Sequence, residues 1–113
     1  MIEIKNQDDL AVVKFRDSTL LTRNFSDELE PALLPLLDQS EKNVIINMSS
    51  ISHIDSYGIG LVITLFKKMV GKNNRVVFSD ISGQVLFQVK MLGLDRVFTI
   101  FETENEALSS VAH

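Results

Sequence analysis

Hydrophobic and polar positions follow two different periods along this chain, and the changes of period mark its elements. Two short runs, Ile2 to Lys5 and Leu10 to Phe15, read as strands separated by the polar turn material Asn6 to Asp9, which predicts a hairpin. Further on, Phe25, Leu29, Ala32, Leu33, Leu36 and Leu37 recur at helical spacing, with acids concentrated near the start. Pro31 and Pro35 interrupt that pattern. Each removes a helical donor and clashes with the preceding turn, so this helix either begins near Glu30 or carries a kink. Asn43 to Met48 is almost continuously apolar between polar neighbours, as in a strand covered on both faces of a parallel sheet. From Tyr57 to Val70 the period is helical again, with Ile59, Val62, Ile63, Phe66 and Met69 or Val70 as one stripe and "GKNN" as the stop. Leu61 and Leu65 lie on another flank, so the helix is either buried on nearly all sides or meets a partner with the extra face.

Arg75 to Asp80 reads as another strand, "SGQVLFQVKMLGL" as a helix closing at Gly93, and Arg96 to Phe101 as a last strand. Thr103 and Glu106 stand at capping-box spacing and open a final helix. The alternation after the opening hairpin predicts an α/β domain, a largely parallel mixed sheet with right-handed crossovers and helices packed over it. The chain length fits a single domain over 1–113.

Composition narrows the function classes. A net charge of -4 runs against a nucleic-acid binder, whose contact face is usually basic, and favours protein partners. The absence of cysteine removes disulfides, thiolate metal sites and thiol catalysis. With two histidines in all, one of them the terminal His113, neither a metal centre nor a cofactor site is expected. The longest strongly apolar stretch, Gly58 to Phe66, is too short to span a bilayer, and the amino terminus lacks a basic segment followed by an apolar one. A cytoplasmic protein without membrane contact is the expectation.

The chemistry concentrates in "SHIDSYGIG", Ser52 to Gly60. This stretch leaves the Asn43 to Met48 strand as a loop and enters a helix, the place in an alternating sheet where function gathers. A helix start presents backbone N–H groups with partial positive charge and no intrahelical partner, so it favours a capping oxygen or a phosphate. Asp55 and Ser56 both suit such a role, and Gly58 and Gly60 let another surface approach the first turn closely. Read alone, the cluster fits a plain N-cap as well as a functional site. His53, Asp55 and Ser56 include the residue types of a catalytic triad, but neighbours in one short segment do not form a relay and no G-x-S-x-G elbow is present. His53 reads as a loop residue that shields the junction or touches a partner. Gly58-Ile59-Gly60 lacks the third glycine of a nucleotide fingerprint, and the first strands lack the acidic pair of a phosphoacceptor receiver.

"IDSYGIG" after a buried strand resembles the "D-S-[ST]-G-[LI]-G" signature of STAS domains, the sulfate transporter and anti-sigma factor antagonist family. "KMLGLDRVFTIFETENEAL" is similar to that family's usual ending. The resemblance covers Asn43 to the end. Resemblance to the bacterial antagonists implies a switch and not an enzyme. By that resemblance Ser56 would be phosphorylated by an anti-sigma factor that is also a serine kinase, the unphosphorylated form would capture that partner and so regulate transcription, and a serine phosphatase would reset the cycle. His53, Ile54, Asp55, Tyr57, Gly58 and Gly60 shape the surroundings or meet the partner. Two departures stand out. Tyr57 occupies the usual serine or threonine position, and "FRDSTLLTRN", Phe15 to Asn24, replaces the expected "G-E-[LIV]-D" segment, with Asp17 and Ser18 as its potential substitutes. They favour the alternative of a non-switching STAS scaffold that binds another regulator constitutively, with Ser56 only capping.

Overall fold

The structure, a computed structural model, describes residues 2–7, 9–15, 19–21, 31–33 and 41–111. In chain order its elements are strands β1 (Ile2–Gln7), β2 (Leu10–Phe15), β3 (Thr19–Leu21), β4 (Asn43–Asn47) and β5 (Ile51–Ile54), then helix α1 (Ser56–Gly71). Strand β6 (Arg75–Ser79), helix α2 (Gly83–Met91), a 3-10 turn (Leu94–Arg96), strand β7 (Thr99–Phe101) and helix α3 (Glu104–Val111) complete it.

Five strands form the main sheet in the order β1-β2-β4-β6-β7. β1 and β2 are the expected antiparallel hairpin, and every later neighbour in this sheet is parallel. The hairpin is tighter than the sequence implies: Asn6 pairs Ala11 and Gln7 pairs Leu10, so two residues read as turn belong to the ladder. β1 lies on the sheet's edge, where polar side chains keep access to water while the backbone still gains its partners. β4 is central, between β2 and β6, and its Val44, Ile45 and Ile46 are all buried. That accounts for its unbroken apolar run, since alternate side chains enter cores on opposite faces.

On one face Ala11, Val13, Phe15, Val44, Ile46, Val76 and Phe78 meet Leu65 and Met69 of α1 and Val85 and Val89 of α2. The rings of Phe66, Phe78 and Phe98 pack together there, Phe78 and Phe98 at a centroid separation of 4.6 Å. On the other face Val12, Ile45 and Val77 meet Ala107 and Val111 of α3. The α3 cap is the expected one, Thr103 Oγ1 accepting from Glu106 N at 3.2 Å. Asn47 Nδ2 donates to Glu104 Oε1 at 2.9 Å, and Lys14 Nζ lies 3.4 Å from the same oxygen, which pins the start of α3 to the sheet.

Several expectations need correction. Ser52 to Ile54 is not a loop: β5 pairs in parallel with β3 as a separate two-stranded sheet. A turn closed by Ile51 N donating to Met48 O at 3.0 Å joins β4 to β5. The last strand is shorter than Arg96 to Phe101. Gly93, at φ 73, ends α2 as foreseen, but the chain then turns again, Arg96 N donating to Gly93 O and Phe98 N to Leu94 O, before β7 begins at Thr99. In α1 the most buried line is Gly58, Leu65 and Met69, with Val70 exposed, so Leu65 belongs to the core and Leu61 is only half-buried against it. Of the helix expected around Phe25 to Leu37, residues 31–33 are helical with Leu33 buried; the rest lies outside the described residues, as do Asp17, Ser18 and His113.

Candidate functional site

The end of β5 and the first turns of α1 are held by the fold beneath them. Ser82 Oγ, preceding α2, donates to Ile51 O at 3.2 Å, and Gln88 Nε2 on α2 donates to Ile54 O at 3.0 Å. Two α2-side groups therefore fasten both ends of the short β5 strand. Ile51 and Ile54 are buried in the core. Asp55 follows in an extended conformation, φ -97 and ψ 178, which turns the chain from strand to helix. Its Oδ1 accepts from Gly58 N at 2.8 Å, and its carbonyl accepts from Ile59 N at 2.9 Å. Asp55 is thus the N-cap, and Ser56 occupies the first helical position. Capping is accordingly not the work of Ser56.

Ser56 is exposed, and among the described residues its hydroxyl has no hydrogen-bond partner. Tyr57 beside it is 51% exposed. Gly60, one turn on, is exposed, and a Cβ built there meets no atom within 4 Å. Ser56, Tyr57, Gly60, Leu61 and Thr64 line a shallow surface depression, and Thr64 Oγ1 donates to Gly60 O, one helical turn earlier, at 2.9 Å. These positions recur at helical spacing, so they share one flank of α1.

The structure brings Asp55, Ser56, Tyr57 and Gly60 together at one surface. It places three other site residues differently. His53 is a strand residue of β5, exposed, with Nδ1 3.2 Å from Ser52 Oγ. Ile54 and Gly58 are buried, so they support the junction from within and present no surface to a partner. Sequence reasoning passed over Thr64 as a lining residue and left Leu61 without a settled face. Their spacing from Ser56 and Tyr57 was the available signal. It also missed Ser82 and Gln88, whose role depends on tertiary contact and leaves no local trace. Among the described residues no group of three or more His, Cys, Asp or Glu could hold a metal ion, and no helix is long and apolar enough to cross a membrane.

The family model described as "STAS domain" matches residues 1–107. Among solved structures, a candidate anti-sigma factor antagonist from Thermotoga maritima superposes with a TM-score of 0.87 at 17% identity, over 99% of this chain and 95% of that one. The anti-sigma factor antagonist SpoIIAA in its unphosphorylated form gives 0.78 at 19% identity, over 99% of this chain and 96% of that one. The phosphorylated form of SpoIIAA from Bacillus gives 0.73 at 18% identity, over 98% and 99%. The murine anion transporter Slc26a9 gives 0.77 at 15% identity over 96% of this chain, which spans 19% of the transporter. Likenesses at these identities establish a shared fold.

Proposed function

The chain belongs to the STAS domain family, and from that premise we propose that it is a phosphorylation-controlled protein-binding switch of the anti-sigma factor antagonist type, with Ser56 as phosphoacceptor. The observation that carries this reading is the exposed Ser56 hydroxyl at the first helical position, without a hydrogen-bond partner among the described residues and on the lining of a depression that includes Gly60. A partner kinase would transfer the terminal phosphoryl group of a nucleoside triphosphate to Ser56 Oγ, the hydroxyl proton leaving and the diphosphate departing. A phosphatase would return the hydroxyl by hydrolysis and release inorganic phosphate. The protein itself performs no catalysis in this cycle.

The electrostatics support the reading. A phosphoserine carries roughly -1.5 to -2 charges at pH 7. The positive end of α1 tolerates that charge in the free protein. In a docked complex the same group would be desolvated next to the exposed carboxylate of Asp55, with its oxygens against a partner shaped for a hydroxyl. Release therefore follows from local repulsion and desolvation, with no refolding of the domain. That SpoIIAA is known in both an unphosphorylated and a phosphorylated form with this fold supports a chemistry of this kind.

In the unphosphorylated state the protein captures an anti-sigma factor with serine kinase activity, and a serine phosphatase regenerates that state. Phosphopeptide mapping of protein recovered from its own cells, in growth and under stress, tests the assignment. Phosphate confined to Ser56 and changing in occupancy with condition is the expected result, with Ser56→Ala locked in the binding form. A bare Ser56 in every condition, with Ser56→Ala behaving as wild type, would replace the switch by a constitutively binding scaffold.

A further inference from the structure

Among the described strands the main sheet has two edges, β1 and β7. β7 has only three residues. β1 has six, contains no proline, and pairs with β2 in an unbroken register without a bulge. A regular edge strand of that length presents a row of backbone donors and acceptors to another chain, and the charges it carries, Glu3 and Lys5, are of the kind that keep most chains from pairing with such an edge.

The side chains of β1 select the partner. Ile2 and Ile4 pack against the core on the α1 side of the sheet, so Glu3 and Lys5 point to the opposite face. Outward-facing N–H and C=O groups belong to alternate residues of a strand, so an antiparallel pairing of two identical strands about a two-fold axis is centred on a residue. Centring on Glu3 sets two glutamates opposite each other, and centring on Lys5 sets two lysines opposite each other. Centring on Ile4 places Glu3 opposite Lys5 of the second copy and Lys5 opposite its Glu3, with the two Ile4 side chains in contact. Directly opposed residues lie about 4.5–5.5 Å apart at Cβ, close enough for opposite charges to stabilise and like charges to destabilise the pairing. The strand is therefore complementary to itself in one central register and repulsive in both adjacent ones.

We infer that β1 is a self-association edge at which two copies of this chain join their five-stranded sheets into one continuous sheet, in the register centred on Ile4. The inference stands on the sheet edge alone and does not depend on Ser56. An isologous contact of this kind closes on itself and yields a dimer, not a fibre.

Sedimentation of the full chain over a concentration series at low salt is the test. A monomer–dimer equilibrium that weakens as salt is added is expected. Glu3→Lys alone and Lys5→Glu alone each replace two attractive pairs by two repulsive ones and should weaken the dimer by about tenfold or more. An equimolar mixture of the two single variants restores both attractive pairs between unlike copies, so it should dimerise at least as well as wild type. That recovery excludes misfolding as the cause of either loss. A protein that stays monomeric at every concentration overturns the inference. A dimer indifferent to either charge reversal also overturns it, and moves the contact to another surface such as the exposed Phe87 and Met91 of α2.

Discussion

Replacing Gly60 by alanine should make the protein more stable and a poorer binder, and the two effects have separate causes. Gly60 lies inside α1, four positions beyond Ser56, where its flexibility in the unfolded chain is a cost to folding. Alanine in a helix interior is better than glycine by about 0.5–1 kcal/mol. That gain is cancelled only where the new methyl clashes, and a Cβ at this position meets nothing within 4 Å. Unfolding entropy of about 2.1 cal/mol/K per residue, over 113 residues, converts the gain to a rise of about 2–4 °C in Tm. The methyl group would project into the depression that Gly60 lines with Ser56, Tyr57, Leu61 and Thr64. In a closely packed complex one added methyl typically costs about 1–3 kcal/mol, so affinity for the proposed partner should fall about fivefold to 150-fold. Thermal denaturation measures the first effect, and titration of the unphosphorylated protein against the anti-sigma factor kinase proposed as its partner measures the second. Higher stability with unchanged affinity would show that the depression is not the docking surface. Lower stability would refute the structural premise, because it would mean that the space over Gly60 is filled in the free protein.

Two further substitutions test the site's support and the core. Asp55→Ala removes the carboxylate that caps α1 through Gly58 N, and should cost about 1 kcal/mol, or roughly 4 °C in Tm; Asp55→Asn, which keeps a capping oxygen, should denature within a few tenths of a kcal/mol of wild type. Phe78→Ala opens the aromatic cluster at a fully buried position and should lose about 3–5 kcal/mol in urea denaturation, a large share of the roughly 5–15 kcal/mol that holds a small domain folded. A loss under 1 kcal/mol would mean that Phe66 and Phe98 close over the vacated volume.

What could be read from the sequence was whatever is governed by local periodicity. β4 announced itself because burial on both faces leaves a continuous apolar run, and the α3 cap because Thr103 and Glu106 lie within one turn. The position of Gly93 likewise followed from the left-handed backbone that ends α2. β5 was hidden for the opposite reason. Its four residues enclose Ser52 and His53 between two buried isoleucines, and its stability comes from β3 and from Ser82 and Gln88 on the α2 side, all remote in sequence. That concealed strand bears on the proposed switch. A loop before Asp55 would let the cap and the Ser56 hydroxyl move together, so a phosphate there could act by melting the helix start. A strand pinned at Ile51 O and Ile54 O fixes the start of α1 relative to the sheet. A charge added at Ser56 then meets a rigid surface, and its effect falls on whatever docks there rather than on the fold.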